Sequence, residues 1–438
     1  MKFNIFFFFL FSAIYIELNA TENYFPPLYG DFWETIKPET LGWDTSKINQ
    51  LYTFLENKNT NAFIVLKDGK IVLEKYFGSF TKDSMWYWAS AGKTLTSALV
   101  GIAQEEGLLS IYDETSKYLG NGWTSCPKEK EDLITIQHQL TMTTGLDYQV
   151  EDQYCTNPEC LKYKVDAGTQ WYYHNPPYTL LEKVIVNASG KDYNTFFAQK
   201  IRNKIGMNGL WIKDGFNNIY LSTARSMARF GVLVLNNGVW DKTDIIKDKS
   251  YLKDMINTSQ SLNKSYGYLW WLNGKESYML PGFTKVFKGK LMPDAPDDLY
   301  AALGKNGQIL NIVPNKGLIV VRMGERPDDQ FFISTNFNND IWKYLNQVIN
   351  KNTSINDYIN HNAISPNPAS DYIEINIDNV ILSEAKNKTK IYNTYGECVM
   401  TVEEHCNVPL QRIDISHLPS GIYFIKLGNY TQKFKVAR

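Results

Sequence analysis

Residues 62–77 read AFIVLKDGKIVLEKYF, two apolar runs split by Asp68-Gly69, and predict two strands joined by a tight turn. From Lys93 the period lengthens. Leu95, Ala98, Leu99, Ile102 and Ala103 fall on one helical face, and Gly107 is placed to stop the helix. Helical patterns recur at 178–189, ended by Gly190, and at 223–236. Residues 299–323 return to apolar runs with turns at GKNG and PNKG, so a second group of strands is expected there. A strand pair, a helical middle and returning strands predict an α/β domain: an antiparallel sheet flanked by helices, plus an all-helical region.

The two ends differ from this body. The first residues, MKFNIFFFFLFSAIYIELNA, place one Lys before an apolar stretch and a small residue, the pattern of a secretory signal peptide over 1–20. Residues 21–45 contain Pro and Trp and predict an irregular lead-in to a domain spanning 21–349. Residues 350–363 are polar and Asn-rich, as a linker would be. From 364 to 438, apolar and polar residues alternate between turn signals, which predicts a small all-β sandwich.

Charge narrows the range of partners. With 45 basic and 46 acidic residues the net charge is −1, and no basic run offers a footprint for nucleic acid or an anionic membrane. No segment after the leader has membrane-span length, so no stable membrane insertion is expected. Export permits disulfides, and the five cysteines suggest local bridges Cys155–Cys160 and Cys398–Cys406, with Cys126 left over. The five histidines are scattered, H-E-x-x-H is absent, and no cysteine spacing suggests zinc. No metal or cofactor is expected.

Three short motifs can carry chemistry. Ser-x-x-Lys occurs six times, beginning at Ser79, Ser90, Ser125, Ser250, Ser261 and Ser383. Only Ser90 and Lys93 stand at the head of a strongly periodic helix, where both share one face and the helix N-terminus favours a developing oxyanion. A buried Lys93 could deprotonate near neutral pH and activate the hydroxyl; lowering its pKa from about 10 to about 7 takes roughly 4 kcal/mol. Set against this is a plain Ser N-cap followed by a solvated Lys. Tyr173-His-Asn175 lies in a loop just before a helix. There Tyr173 can relay a proton and Asn175 can orient a carbonyl, or Asn175 can simply cap the helix. Lys305-Asn306-Gly307 is a hairpin-turn signal that could also bind a substrate carboxylate, with Gly307 leaving room beside the backbone.

Taken in order, Ser90-Ala-Gly-Lys93, Tyr173-His-Asn175 and Lys305-Asn-Gly307 resemble the three motifs of the penicillin-recognising serine hydrolases. The nearest pattern is the class C β-lactamase type, whose relatives include esterases, D-amino-acid peptidases and 6-aminohexanoate-oligomer hydrolases. Flanking segments such as ITIQHQLTMTTGLDY and GQILNIVPNKGLIVV extend the resemblance over roughly residues 40–345. It implies a β-lactamase/transpeptidase-like fold, Ser90 as nucleophile, Lys93 as its base partner and Tyr173 as proton shuttle. It further implies that Asn175, Lys305, Asn306 and Gly307 line the substrate site, and that the backbone N–H groups of Ser90 and Gln308 form an oxyanion hole. The third motif departs from the family: Asn306 stands where lactamases and peptidases usually carry Thr or Ser, which points toward an esterase or amidase acting on a small-molecule or short-peptide substrate. The C-terminal segments SPNPASDYIEI, IYNTYGECVM and IDISHLPSGIYFIKL resemble the sorting domain read by the Por (type IX) secretion machinery, implying a secreted or cell-surface protein.

Competing classes fare worse. G-x-S-x-G is absent, and only His138 and His174 fall in the expected catalytic domain, which disfavours a Ser-His-Asp hydrolase. A fold that only holds its ligand, without turnover, is disfavoured by the intact Ser90, Lys93 and Tyr173.

Overall fold

The computed structural model describes residues 23–327, 333–350, 364–376, 389–402, 410–427 and 430–438. The expected signal peptide and nearly all of the expected linker lie outside them. The chain forms two compact units, Met1–Ile349 and Asn350–Arg438.

A six-stranded antiparallel sheet organises the first unit. Its strands are β1 (Thr60–Lys67), β2 (Lys70–Tyr76), β3 (Trp271–Leu272), β4 (Tyr300–Gly304), β5 (Gln308–Val313) and β6 (Leu318–Gly324), in the order β2-β1-β6-β5-β4-β3. Asp68 at φ +49° and Gly69 at φ +83° make the predicted turn between β1 and β2. Residues on β5 and β6 are buried throughout, so both faces of the sheet are covered. Among the helices of the unit are α1 (Ile48–Asn57), α2 (Lys93–Glu105), α3 (Leu181–Ser189), α4 (Ala224–Leu235) and α5 (Thr335–Ile349). Side chains of successive strand residues point to opposite faces, and this assigns the layers. Gly231 of α4 sits so close to Ile319 and Leu310 that an added Cβ would lie 2.8 and 2.9 Å from them. On the other face Asn311 exchanges hydrogen bonds of 2.8 Å with Asn338 of α5, and the Arg322 guanidinium lies 5.0 Å from the Phe337 ring. The result is a three-layer α/β/α domain.

Two local expectations are corrected. Helix α2 is not one-faced: Thr94, Thr96, Ser97, Val100 and Gly101 are buried along with the predicted apolar stripe. The helix runs through the interior, and its threonine hydroxyls are met inside, Thr94 Oγ1 donating to the Ala91 carbonyl and Thr96 Oγ1 lying 2.8 Å from Tyr193 Oη, while the buried Ser97 Oγ has no hydrogen-bond partner among the described residues. The pattern at 178–189 is split, with a short helix Asn175–Thr179 preceding α3, which Gly190 ends at φ +64°.

In the second unit, strands Ile364–Ser365, Tyr372–Asn376 and Leu410–Asp414 form one sheet. Strands Cys398–Val402, Thr389–Asn393, Gly421–Leu427 and Tyr430–Val436 form another. Ile373 and Ile413 from the first share a core with Ile391, Tyr423, Ile425 and Phe434 from the second, the arrangement of a small sandwich. Cys155–Cys160 is bridged. Cys398 is a free, exposed thiol on its strand, so the expected Cys398–Cys406 bridge is not formed; Cys406 itself lies outside the described residues.

Candidate active site

Ser90 is not the cap of α2. It sits one turn earlier, in the 3-10 turn Ala89–Gly92, and no side chain caps the helix that follows. Ala89 is held at φ +47°, a region that a residue with a Cβ rarely enters, and it turns Ser90 to a partly exposed position. The surroundings enforce this bend. The Trp88 backbone N–H donates to the Tyr220 carbonyl at 2.8 Å, and Trp88 Nε1 donates to Ser222 Oγ at 2.7 Å. On the other side Gly304, the last residue of β4, leaves no room for a side chain: an added Cβ would lie 2.4 Å from the Trp88 carbonyl oxygen.

Lys93 Nζ donates to Ser90 Oγ at 3.1 Å. The Lys93 side chain is buried, and desolvation lowers its pKa from the ordinary 10.5 to about 7. Among the described residues no carboxylate pairs with it; instead its Nζ lies 4.0 Å from the centre of the Tyr178 ring and 5.3 Å from that of Tyr173. A solvated Lys after a capping Ser is therefore not what the chain builds.

Tyr173 joins the same cluster. Trp271 stacks on its ring at 5.8 Å, and Tyr266 meets both rings edge-on. Burial pushes the Tyr173 phenol well above its usual range, and the neighbouring Ser90 side chain offsets part of the rise. Its Oη has no hydrogen-bond partner of ordinary geometry within the protein, which leaves it free for a proton-relay partner. Asn175 is the first residue of its short helix rather than its cap, and its amide has no partner among the described residues. His174, between them, is 5% exposed with both ring nitrogens unpartnered, and burial lowers its pKa to about 4.

Strand β4 ends beside the Ser90 turn, so the turn Lys305-Asn306-Gly307 follows directly. Asn306 at φ +63° and Gly307 at φ +70° are both left-handed, which explains Asn-Gly there. Lys305 is exposed and makes no ion pair among the described residues. The Asn306 amide donates to Tyr87 Oη at 2.8 Å. The Gln308 side chain is spent on the Gly324 backbone, donating to its carbonyl at 2.7 Å and accepting from its N–H at 3.1 Å, so only the Gln308 backbone N–H is left for an oxyanion.

Sequence reasoning missed four contributors. Tyr178 stands beside Lys93, and its signal was its place one helical turn after Asn175. Tyr87 holds Asn306. Ala89 carries the bend, with no compositional mark. Arg322 clamps the third motif, donating to the carbonyls of Asn306 at 2.7 Å and Gly307 at 3.0 Å; a lone charge within the apolar strand LIVVRMG was the clue. Trp270 and Trp271, at 0% and 1% exposed, pack in the core rather than line an open pocket.

Such a frame, a mixed α/β/α body with Ser and Lys joined at the mouth of a buried helix, is that of the β-lactamase/transpeptidase-like hydrolases. The chain belongs to the beta-lactamase family, whose profile matches residues 57–338. A second profile, the secretion system C-terminal sorting domain, matches residues 363–437. The protein is thus a β-lactamase-family hydrolase carrying a type IX sorting domain, directed to the cell surface or medium. Among curated relatives, an uncharacterized protein of Alkalihalophilus pseudofirmus is 24% identical over 299 residues, covering 60% of this chain and 82% of its own. The 6-aminohexanoate-dimer hydrolase of Paenarthrobacter ureafaciens is 21% identical over 321 residues, covering 65% and 77%. A solved structure from Bacillus anthracis, provisionally assigned as a 6-aminohexanoate-dimer hydrolase, matches with TM-score 0.55 at 20% identity, over 73% of this chain and 89% of its own. At that identity the likeness speaks for the fold alone. Among the described residues no helix is long and apolar enough to cross a membrane.

Proposed function

We propose that the protein is a secreted serine hydrolase that cleaves ester or amide bonds of small molecules or short peptides through an acyl-enzyme on Ser90. The observation that carries this reading is Lys93, buried with no carboxylate partner among the described residues, near-neutral in proton affinity and 3.1 Å from Ser90 Oγ. Neutral Lys93 takes the Ser90 proton as Oγ attacks the substrate carbonyl, and backbone N–H groups of Ser90 and Gln308 stabilise the oxyanion. Tyr173 passes a proton to the leaving group as the C–O or C–N bond breaks. A water molecule then releases the acyl group by the reverse sequence. Asn175 orients the substrate, and Lys305 with Gly307 forms the facing wall.

The reading leans to esters and linear amides because Asn306 replaces the usual hydroxyl and its amide is already held by Tyr87. A panel of p-nitrophenyl esters, aminohexanoate oligomers, nitrocefin and D-Ala-D-Ala peptides tests it, with the Ser90→Ala variant as control. Turnover of esters or oligomers is expected; turnover of D-Ala-D-Ala peptides alone would reassign the protein as a peptidase.

A further inference from the structure

A buried ammonium normally keeps its charge through a carboxylate partner, and Lys93 has none among the described residues. Ser90 Oγ accepts from it on the substrate side. The Tyr173 ring flanks it from the second motif, and the Tyr178 ring, at 4.0 Å, is its nearest aromatic face. Behind Tyr178, its Oη lies 3.5 Å from Thr96 Oγ1, which meets Tyr193 Oη at 2.8 Å. Glu182, one turn further on, pairs with Lys213 at the surface and acts on Tyr178 only as a minor influence that raises its pKa. Every group against the Lys93 amine is thus neutral, and two of them are π faces.

We infer that Tyr178 is a positioning residue for Lys93: its ring face, 4.0 Å from Nζ, holds the ammonium form of the amine against the desolvation of the site. The short helix Asn175–Thr179 makes this possible, because its Pro176-Pro177 start fixes Tyr178 one turn beyond Asn175. Desolvation disfavours the charged amine; the π face opposes it, since a ring quadrupole attracts only the charged form. The balance lets one amine both accept the Ser90 proton and return it. The inference rests on the Ser90–Lys93 reading given above.

The test is the rate at which a fluorophosphonate labels Ser90, followed from pH 5 to 10 in the full chain. In the parent the rate rises through a midpoint set by Lys93. Tyr178→Leu removes the π face while keeping the site apolar, so the midpoint is expected to fall by about 0.4 to 1.5 pH units. Labelling at pH 5.5 then becomes faster relative to the plateau, a gain that loss of packing alone does not produce. Tyr178→Phe keeps the ring and is expected to leave the midpoint in place. Should the Leu variant not fold, ring-fluorinated phenylalanine at this position drains the π face stepwise, and the midpoint should fall with each fluorine. A midpoint that stays put or rises on loss of the π face overturns the inference, as does an equal shift in Tyr178→Phe. If Ser90→Ala still labels, the underlying nucleophile assignment has failed instead.

Discussion

Replacing Lys93 by Met should abolish activity and make the protein more stable. The reason is the cost of the buried amine. Its pKa falls from 10.5 unfolded to about 7 folded, so the unfolded chain binds the extra proton between those values. Stability therefore rises with pH across that window and is lowest below it. At pH 7 such a shift costs about 4 kcal/mol, and at pH 10 only about 1 kcal/mol. Met fills nearly the same volume without a charge. Urea unfolding of parent and Lys93→Met at pH 7 and pH 10 gives the comparison. The variant should be the more stable at pH 7, by an amount that shrinks toward zero at pH 10. A variant less stable than the parent at pH 7, or a difference independent of pH, would refute the claim that Lys93 is a desolvated, unpaired amine.

Gly304→Ala should disable the Ser90 turn, because its Cβ would meet the Trp88 carbonyl oxygen at 2.4 Å and neither backbone can retreat; loss of active-site labelling with the fold retained by circular dichroism is the expected result. Arg322→Leu should strip the carbonyls of Asn306 and Gly307 of their buried donor and destabilise the protein by about 2–4 kcal/mol in denaturant titration. His174 is held neutral by burial, its pKa lowered to about 4, so stability is full above the ordinary 6.5 and declines as pH falls toward 4, by about 3 kcal/mol at most. His174→Gln should flatten that slope in unfolding curves at pH 7 and pH 4.5.

The strands were legible because their signals are local. Asp68-Gly69 and Asn306-Gly307 announce left-handed turns, and the apolar runs around them are too short for helices. Helix α2 was found, but its apolar stripe understates its burial: Thr94, Thr96 and Ser97 also lie inside, the two threonine hydroxyls with partners there. Ser90 and Lys93 were legible as a pair only through the two later motifs, since five other Ser-x-x-Lys copies share the spacing. What the sequence could not show was distance. Tyr178 and Tyr87 reach Lys93 and Asn306 only after chain segments far apart are packed together, and Trp271 reads equally well as pocket wall or as the buried plate beneath Tyr173.

The most direct measurement of the central claim is intact-mass and peptide-mass analysis after treatment with a fluorophosphonate at pH 8. One adduct per chain is expected, on the peptide bearing Ser90, lost in Ser90→Ala and strongly slowed in Lys93→Met. An adduct elsewhere, or one that persists in Ser90→Ala, would contradict the account.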